Sequence, residues 1–289
     1  MVGVSSQEER ETGMSGKLPD KFQGLIKQIL EVNVKMTESN KERKTEKLYH
    51  VHRQKIRKAL LFVSFLLLPV TINYLSPYLI IAGATEGMVS GSLIVLGLMF
   101  LFSLFAGRFW CGWLCPAGGI QELCFTFSTK NARGGRLNLI KYFFWSGLVC
   151  IVLFLVISAG GYTDFNFFYK SEGGISILNP LAIAMYYMMA GMMVILSVIA
   201  GKRAFCHYFC WMAPFMIIGR KIGNLVRVPS LQIKADKSTC ISCKRCNREC
   251  PMSLDVHEMV QSGTMENTEC ILCGTCVDSC PKGVITFGR

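Results

Sequence analysis

The chain has 289 residues, enough for two modest domains. Apolar residues make up 51% of it and charged residues only 17%, an excess that points to a membrane protein. Lys and Arg outnumber Asp and Glu by 31 to 19, yet the basic residues flank the apolar runs and no nucleic-acid motif occurs, so the charge suits anionic lipid headgroups and membrane topology rather than nucleic acid.

Residues 1–58 read as a polar, basic N-terminal extension on the cytoplasmic side. Within it Phe22, Leu25, Ile26, Ile29 and Leu30 recur at helical spacing and predict a short amphipathic helix able to rest on a membrane. Met14 and Met36 are alternative start points that would remove part or all of the extension.

Residues 59–230 read as a transmembrane domain. Uncharged runs cover 59–85, 87–107, 142–163 and 173–201, each long enough to cross ~30 Å of hydrocarbon as a helix. Pro69 is placed to kink the first run and Pro77 to mark its exit; the fourth is expected to begin its helix near Asn179-Pro180. Lys and Arg crowd into 41–58, the second–third connection and the segment after the fourth run, whereas the other two connections hold only Lys170. The expectation is four spans with both termini in the cytoplasm.

A repeat runs through this domain. Ala106-Gly107-Arg108 leads into FWCGWLCPA, and Ala200-Gly201-Lys202-Arg203 into AFCHYFCWMAP, so the four spans read as a duplicated hairpin. Cys111 with Cys115, and Cys206 with Cys210, then lie at the cytoplasmic ends of spans two and four. Spacing of i, i+4 is expected to put both thiols of a pair on one helix face. Four thiolates at one depth suit a soft metal or a cluster, and two redox-active dithiols are the alternative. Cys124 and Cys150 lack a partner spacing and read as packing residues. His207 reads as a hydrogen-bonded interfacial residue rather than a ligand; His50, His52 and His257 read as surface residues. Met185, Met188, Met189, Met192 and Met193 form a stripe that reads as packing rather than a copper path.

Residues 231–289 carry the strongest signal. Residues 240–250 read CISCKRCNREC and 270–280 read CILCGTCVDSC, each followed by proline, at Pro251 and Pro281. In this two-cluster pattern three cysteines of a run serve one cubane and the fourth serves the other. The expected sets are Cys240, Cys243, Cys246 and Cys280 for one [4Fe-4S] cluster, and Cys270, Cys273, Cys276 and Cys250 for the second. A zinc ribbon explains neither the third cysteine of each run nor the prolines. The segments at 231–234 and 284–287 predict two short strands that pair. No cleavable signal segment precedes Ala59, so the thiols read as cytosolic and reduced. No C-x-x-C-H and no G-x-G-x-x-G after a strand occurs, so neither haem nor a bound nucleotide is expected.

Four spans, CGWLCP at 111–116, a second C-x3-C at 206–210 and the two-cluster tail together resemble the NapH-type membrane ferredoxins. The membrane part of the nitrous-oxide regulator NosR and the cytochrome-oxidase assembly factor CcoG are similar in plan. The resemblance covers 59–289. It implies an α-helical membrane domain, a C-terminal α+β two-cluster bacterial-type ferredoxin domain, and electron exchange between the quinol pool and partner redox proteins. The family's C-x3-C-P falls on Cys111, Cys115 and Pro116; the second motif departs from it, with Trp211 in place of the proline and the next proline at Pro214. This chain holds no flavin domain of the NosR kind, so any flavin would belong to a partner.

The leading expectation is therefore an electron-transfer component rather than a stand-alone enzyme. A quinol or membrane flavoprotein would meet the hairpins, and the tail would serve a soluble or membrane redox partner. The alternatives are a CcoG-like copper reductase or assembly factor, and a NosR-like redox-responsive regulator.

Overall fold

The computed structural model describes residues 52–169 and 180–288, all within one unit, His50–Arg289. The amphipathic segment at 22–30 and His50 lie outside the described residues.

The first apolar run is broken. Helix α1 (52–66) starts ahead of it, α2 (Leu68–Thr71) follows, and α3 (Pro77–Thr85) closes it. Pro69 and Pro77 each stand in a first helical turn, where a missing N–H costs nothing. Pro77 thus opens a helix instead of marking an exit, and Ser76 caps it by accepting the Tyr78 N–H at 3.2 Å.

Strand β1 (Met88–Ser90) takes the start of the second run out of helix, because it pairs in parallel with β2 (Asp164–Asn166). Helix α4 (Gly91–Ala106) is left with 16 residues, about 24 Å at 1.5 Å per residue. Helix α7 (Ile140–Ser158) is extended at its start by a 3-10 turn, Gly135–Leu139. Helix α8 covers Pro180–Ile199 of the described residues. Among the described residues only Gly135–Ser158, 24 residues, is long and apolar enough to cross a membrane. Its Phe143 and Ile157 are each 77% exposed, the reverse of a soluble core helix. Cys150 is exposed on this helix, where a packing residue is expected.

After α4 the chain makes α5 (Phe109–Trp113) and α6 (Pro116–Leu123); after α8 it makes α9 (Ala204–Tyr208) and α10 (Met212–Leu225). Glycines let these segments close on the longer helices. A Cβ on Gly219 would stand 1.9 Å from Ser103 Oγ of α4, and one on Gly223 2.4 Å from the Leu104 carbonyl oxygen.

In the tail, β3 (Gln232–Ala235) and β4 (Ile285–Gly288) pair antiparallel, with Ile233 opposite Phe287, as the apolar segments predict. Between them lie α11 (Arg245–Glu249), α12 (Val256–Ser262) and α13 (Thr275–Ser279). The tail core of Ile233, Val260, Ile271 and Ile285 does not end at the tail: Cys111, Cys206 and Met216 of the hairpins belong to the same buried cluster.

Candidate metal centres

The eight tail cysteines are free thiols and fall into two groups of four. Cys240, Cys243, Cys246 and Cys280 line one small cavity; Cys250, Cys270, Cys273 and Cys276 line another. The fourth cysteine of each run thus crosses to the other run's cavity, in the grouping expected from the spacing.

The local backbone explains how. Both loops bend through left-handed residues on either side of the central cysteine: Ser242 and Lys244 (φ 53 for both) around Cys243, Leu272 (φ 50) and Gly274 (φ 73) around Cys273. A short helix then carries the third cysteine, and the fourth caps its end in extended conformation ahead of proline. The turn also aims amides at sulfur: the Leu272 N–H at Cys270, those of Met252 and Leu254 at Cys250. Such bonds tune a cluster's potential. Among the described residues no three His, Cys, Asp or Glu side chains converge tightly enough for a single ion. Four thiols around a cavity, with donors directed at them, fit a cubane better than a zinc ribbon. Burial pushes the thiols up, Cys270 to about 11 and Cys250 to about 12, so taking up iron displaces protons.

His257 is half-buried in the wall of the first cavity rather than on the surface, with Nε2 buried and unpaired; His52 is exposed, as expected.

The C-x3-C motifs do not lie on one helix face. The helix ends after Trp113, and Cys115 turns extended (ψ 119) ahead of Pro116. The amides of Leu114 and Cys115 both donate to the Trp110 carbonyl, and those of Phe209 and Cys210 both donate to Phe205. The Gly118 N–H is directed at Cys115 Sγ, and the Ala213 N–H at Cys210 Sγ. The two motifs are thus the same turn twice, and Trp211 in place of proline does not alter it. The four thiols feel one another's charge. Burial raises Cys210 to about 12 and also raises Cys111 and Cys115. Gln121 Nε2 donates to Cys206 Sγ at 3.2 Å, and Met216 Sδ stands 3.5 Å from Cys111 Sγ. Cys124 is a packing residue, its Sγ 3.3 Å from the Ile120 carbonyl.

Two arginines count as loop charges in the sequence but are part of this centre. Arg108 and Arg203 each precede a first motif cysteine by three residues, and both are buried. Arg203 Nη1 donates to the Cys111 carbonyl at 2.7 Å, and its Nη2 pairs with Glu122, which also holds Arg57. Arg108 pairs with Glu269 at 2.9 Å and donates to the Thr268 carbonyl at 3.1 Å. Burial alone would raise the Glu269 carboxyl, but Arg108 and Lys141 beside it hold it below the ordinary carboxylate range.

Both motifs grip the second tail group. Gly112 lies against Ile271, Trp113 Nε1 donates to the Leu272 carbonyl at 3.2 Å, and Gln54 Nε2 to the Cys273 carbonyl at 3.1 Å. From the other motif, His207 Nε2 donates to the Met252 carbonyl at 3.1 Å, while Nδ1 pairs with the Asn138 amide. With both ring nitrogens engaged, and burial lowering its pKa to about 4, His207 is a neutral strut. Of the methionine stripe, Met189 and Met193 pack on Ile120 and Phe205, and Met185, Met188 and Met192 face outward.

Comparison with known proteins agrees with this layout. A family model described as a 4Fe-4S binding domain matches twice, at residues 89–133 and 181–229, the two stretches that hold the C-x3-C motifs. A second, described as a 4Fe-4S dicluster domain, matches 239–285. The chain is 26% identical to an uncharacterized protein of Methanocaldococcus jannaschii, over 81% of this chain and 85% of that one. It is 26% identical to the putative electron transport protein YccM of Escherichia coli, over 73% of this chain and 59% of YccM. To the ferredoxin-type protein NapH of the same organism it is 22% identical, over 75% of each chain. No solved structure matches. These matches support a NapH-type polyferredoxin family and iron–sulfur electron transport for this chain.

Proposed function

We propose that this protein is a membrane-anchored relay that passes single electrons between a quinol or membrane flavoprotein and a redox partner protein. Cys240, Cys243, Cys246 and Cys280 hold one [4Fe-4S] cluster; Cys270, Cys273, Cys276 and Cys250 hold the other. A bound cubane supplies one-electron transfer with no transfer of atoms. The residues around it exclude water, aim amides at sulfur and fix the order of stations. The hairpins cross the membrane as four spans with both termini in the cytoplasm; the apolar outer face of α7 and the placement of Lys and Arg support this.

The observation that carries the reading is the shared core. Cys111 and Cys206 pack with Cys250, Cys273 and Cys276 in one buried cluster. Residues at the membrane surface are thereby joined to the second tail group without an intervening water layer. The test is anaerobic mixing of the protein, in lipid nanodiscs, with a reduced menaquinol analogue. Clusters that bleach on mixing support the relay. Clusters that stay oxidised, at a potential suited to accept, remove quinol as donor.

A second reading is favoured by one contact. The buried Met216 thioether beside Cys111 makes a soft donor pair suited to Cu(I). In that reading the motif cysteines bind copper and the tail reduces it. Titration of wild type and C111A/C206A with Cu(I) separates the readings, because equal stoichiometry removes copper from this site.

A further inference from the structure

The two tail motifs share one backbone and differ in what surrounds them. In the second, Ile271 is 1% exposed and Leu272, Cys273 and Cys276 are buried beneath the hairpins. In the first, the equivalent Ile241 is 56% exposed, and Ser242, Cys243, Lys244 and Arg245 are all exposed. The contacts from the hairpin motifs described above all reach the second group, so the first group is the outward station of the tail.

Side chains change in step with exposure. Lys244 and Arg245 occupy the places held by Gly274 and Thr275 in the other motif, and Lys282 the place of the buried Met252. The first cavity is therefore walled by three fixed cations and no carboxylate. Lys244 moreover sits at φ 53, a left-handed position where its counterpart is glycine at φ 73. A lysine there accepts backbone strain that glycine avoids.

We propose that Ile241, Cys243, Lys244, Arg245 and Lys282 form the docking face for a soluble redox protein that presents an acidic patch around its own redox centre. Ile241 supplies an apolar anchor beside an exposed cysteine, and the cations steer and register the partner. One electron crosses at this face: the group behind Cys243 is oxidised by one equivalent and the partner is reduced by one, or the reverse, with no atom transferred. The inference rests on the relay reading and adds its exit and the polarity of its partner.

The test uses the full chain in phosphatidylcholine nanodiscs and reads binding by biolayer interferometry, with an acidic single-cluster ferredoxin and a basic c-type cytochrome as probes. The acidic ferredoxin should bind more tightly than the cytochrome, and its Kd should rise as salt shortens the Debye length. K244E/R245E/K282E should weaken that Kd about tenfold or more. K244G/R245T, which copies the other motif and keeps its geometry, should weaken it by a smaller factor. Equal ferredoxin affinity in wild type and both variants, or tighter binding of the cytochrome, overturns the proposal. Wild-type protein that binds phosphatidylglycerol vesicles through these cations, and no ferredoxin in phosphatidylcholine discs, would assign the face to lipid and overturn it too. Iron content and dithionite-driven bleaching on the same samples keep the two ideas apart. Iron-free protein sinks the relay, whereas charge-indifferent binding to iron-loaded protein sinks only this docking face.

Discussion

Gly112 and Ile271 meet backbone to backbone: a Cβ on Gly112 would stand 2.4 Å from the Ile271 carbonyl oxygen and 3.4 Å from the Cys273 amide nitrogen. The first C-x3-C motif and the second tail motif are therefore fitted together at a place with no room for a side chain. Gly112→Ala has to push the Cys270–Cys273 loop outward. The EPR signal of one cluster should change shape and the other should not, and reduction by a menaquinol analogue should slow by about tenfold. A variant matching wild type in both would show that this contact has no functional weight.

Glu269 ties the tail to the hairpins by pairing with Arg108 and Lys141, 3% and 0% exposed. Removing one partner of a buried ion pair leaves uncompensated charge and typically costs ~3–5 kcal/mol. Glu269→Gln strands two cations, so its denaturation midpoint should fall well below that of wild type. The solvent-facing Glu266, 55% exposed beside Arg220, is the control, and Glu266→Gln should cost about 1 kcal/mol or less of unfolding free energy.

Cross-ligation gives opposite outcomes for two similar substitutions. Cys280→Ser should remove the outward cluster, although that residue lies in the second motif, and leave the buried one resistant to an iron chelator. Cys250→Ser should remove the buried cluster and leave the chelator-sensitive one. If each substitution instead disturbs the cluster of its own motif, the grouping is wrong.

Glu122 lies between Arg57 and Arg203. Burial raises its carboxyl, but the two guanidinium groups outweigh that, and the net pKa lies below the ordinary value of 4.5. The unfolded chain thus binds this proton more readily than the folded one just below pH 4.5, and stability falls there as pH falls. The advantage of wild type over Glu122→Gln should be full above pH 4.5 and shrink as pH drops through the folded pKa. Denaturation curves of both proteins at matched pH values give the difference, and acid lability of the clusters cancels in the comparison. A difference that stays constant from pH 6 to about pH 3 would mean the carboxylate charge contributes nothing.

The cysteine spacing made the tail legible, because C-x2-C-x2-C fixes a loop and proline fixes the turn of the fourth cysteine. Its two strands are legible from the short segments at 231–234 and 284–287. The C-x3-C spacing alone suggests continuous helix, whereas Pro116 carries the opposite signal: the residue before a proline avoids helical ψ, and Cys115 obeys. Arg57, Arg108 and Arg203 look like loop charges in the sequence because their partners, Glu122 and Glu269, lie 65 to 161 residues away and nothing local announces them. Periodic placement was the available hint, since Arg108 and Arg203 stand at equal distances before Cys111 and Cys206. The intact first span was lost for a similar reason. Hydropathy averages over Pro69 and Pro77, whereas the backbone restarts at each.

The central claim is that the tail holds two thiolate-bound cubanes, one buried against the membrane motifs and one facing outward. Iron and acid-labile sulfide should be counted per polypeptide on anaerobically purified protein, with EPR on the dithionite-reduced sample. The account predicts about eight irons and eight sulfides from the tail, retained in a C111A/C206A variant, with the broadened spectrum of two interacting clusters. Zinc in place of iron, or about four irons with a single uncoupled signal, would contradict it.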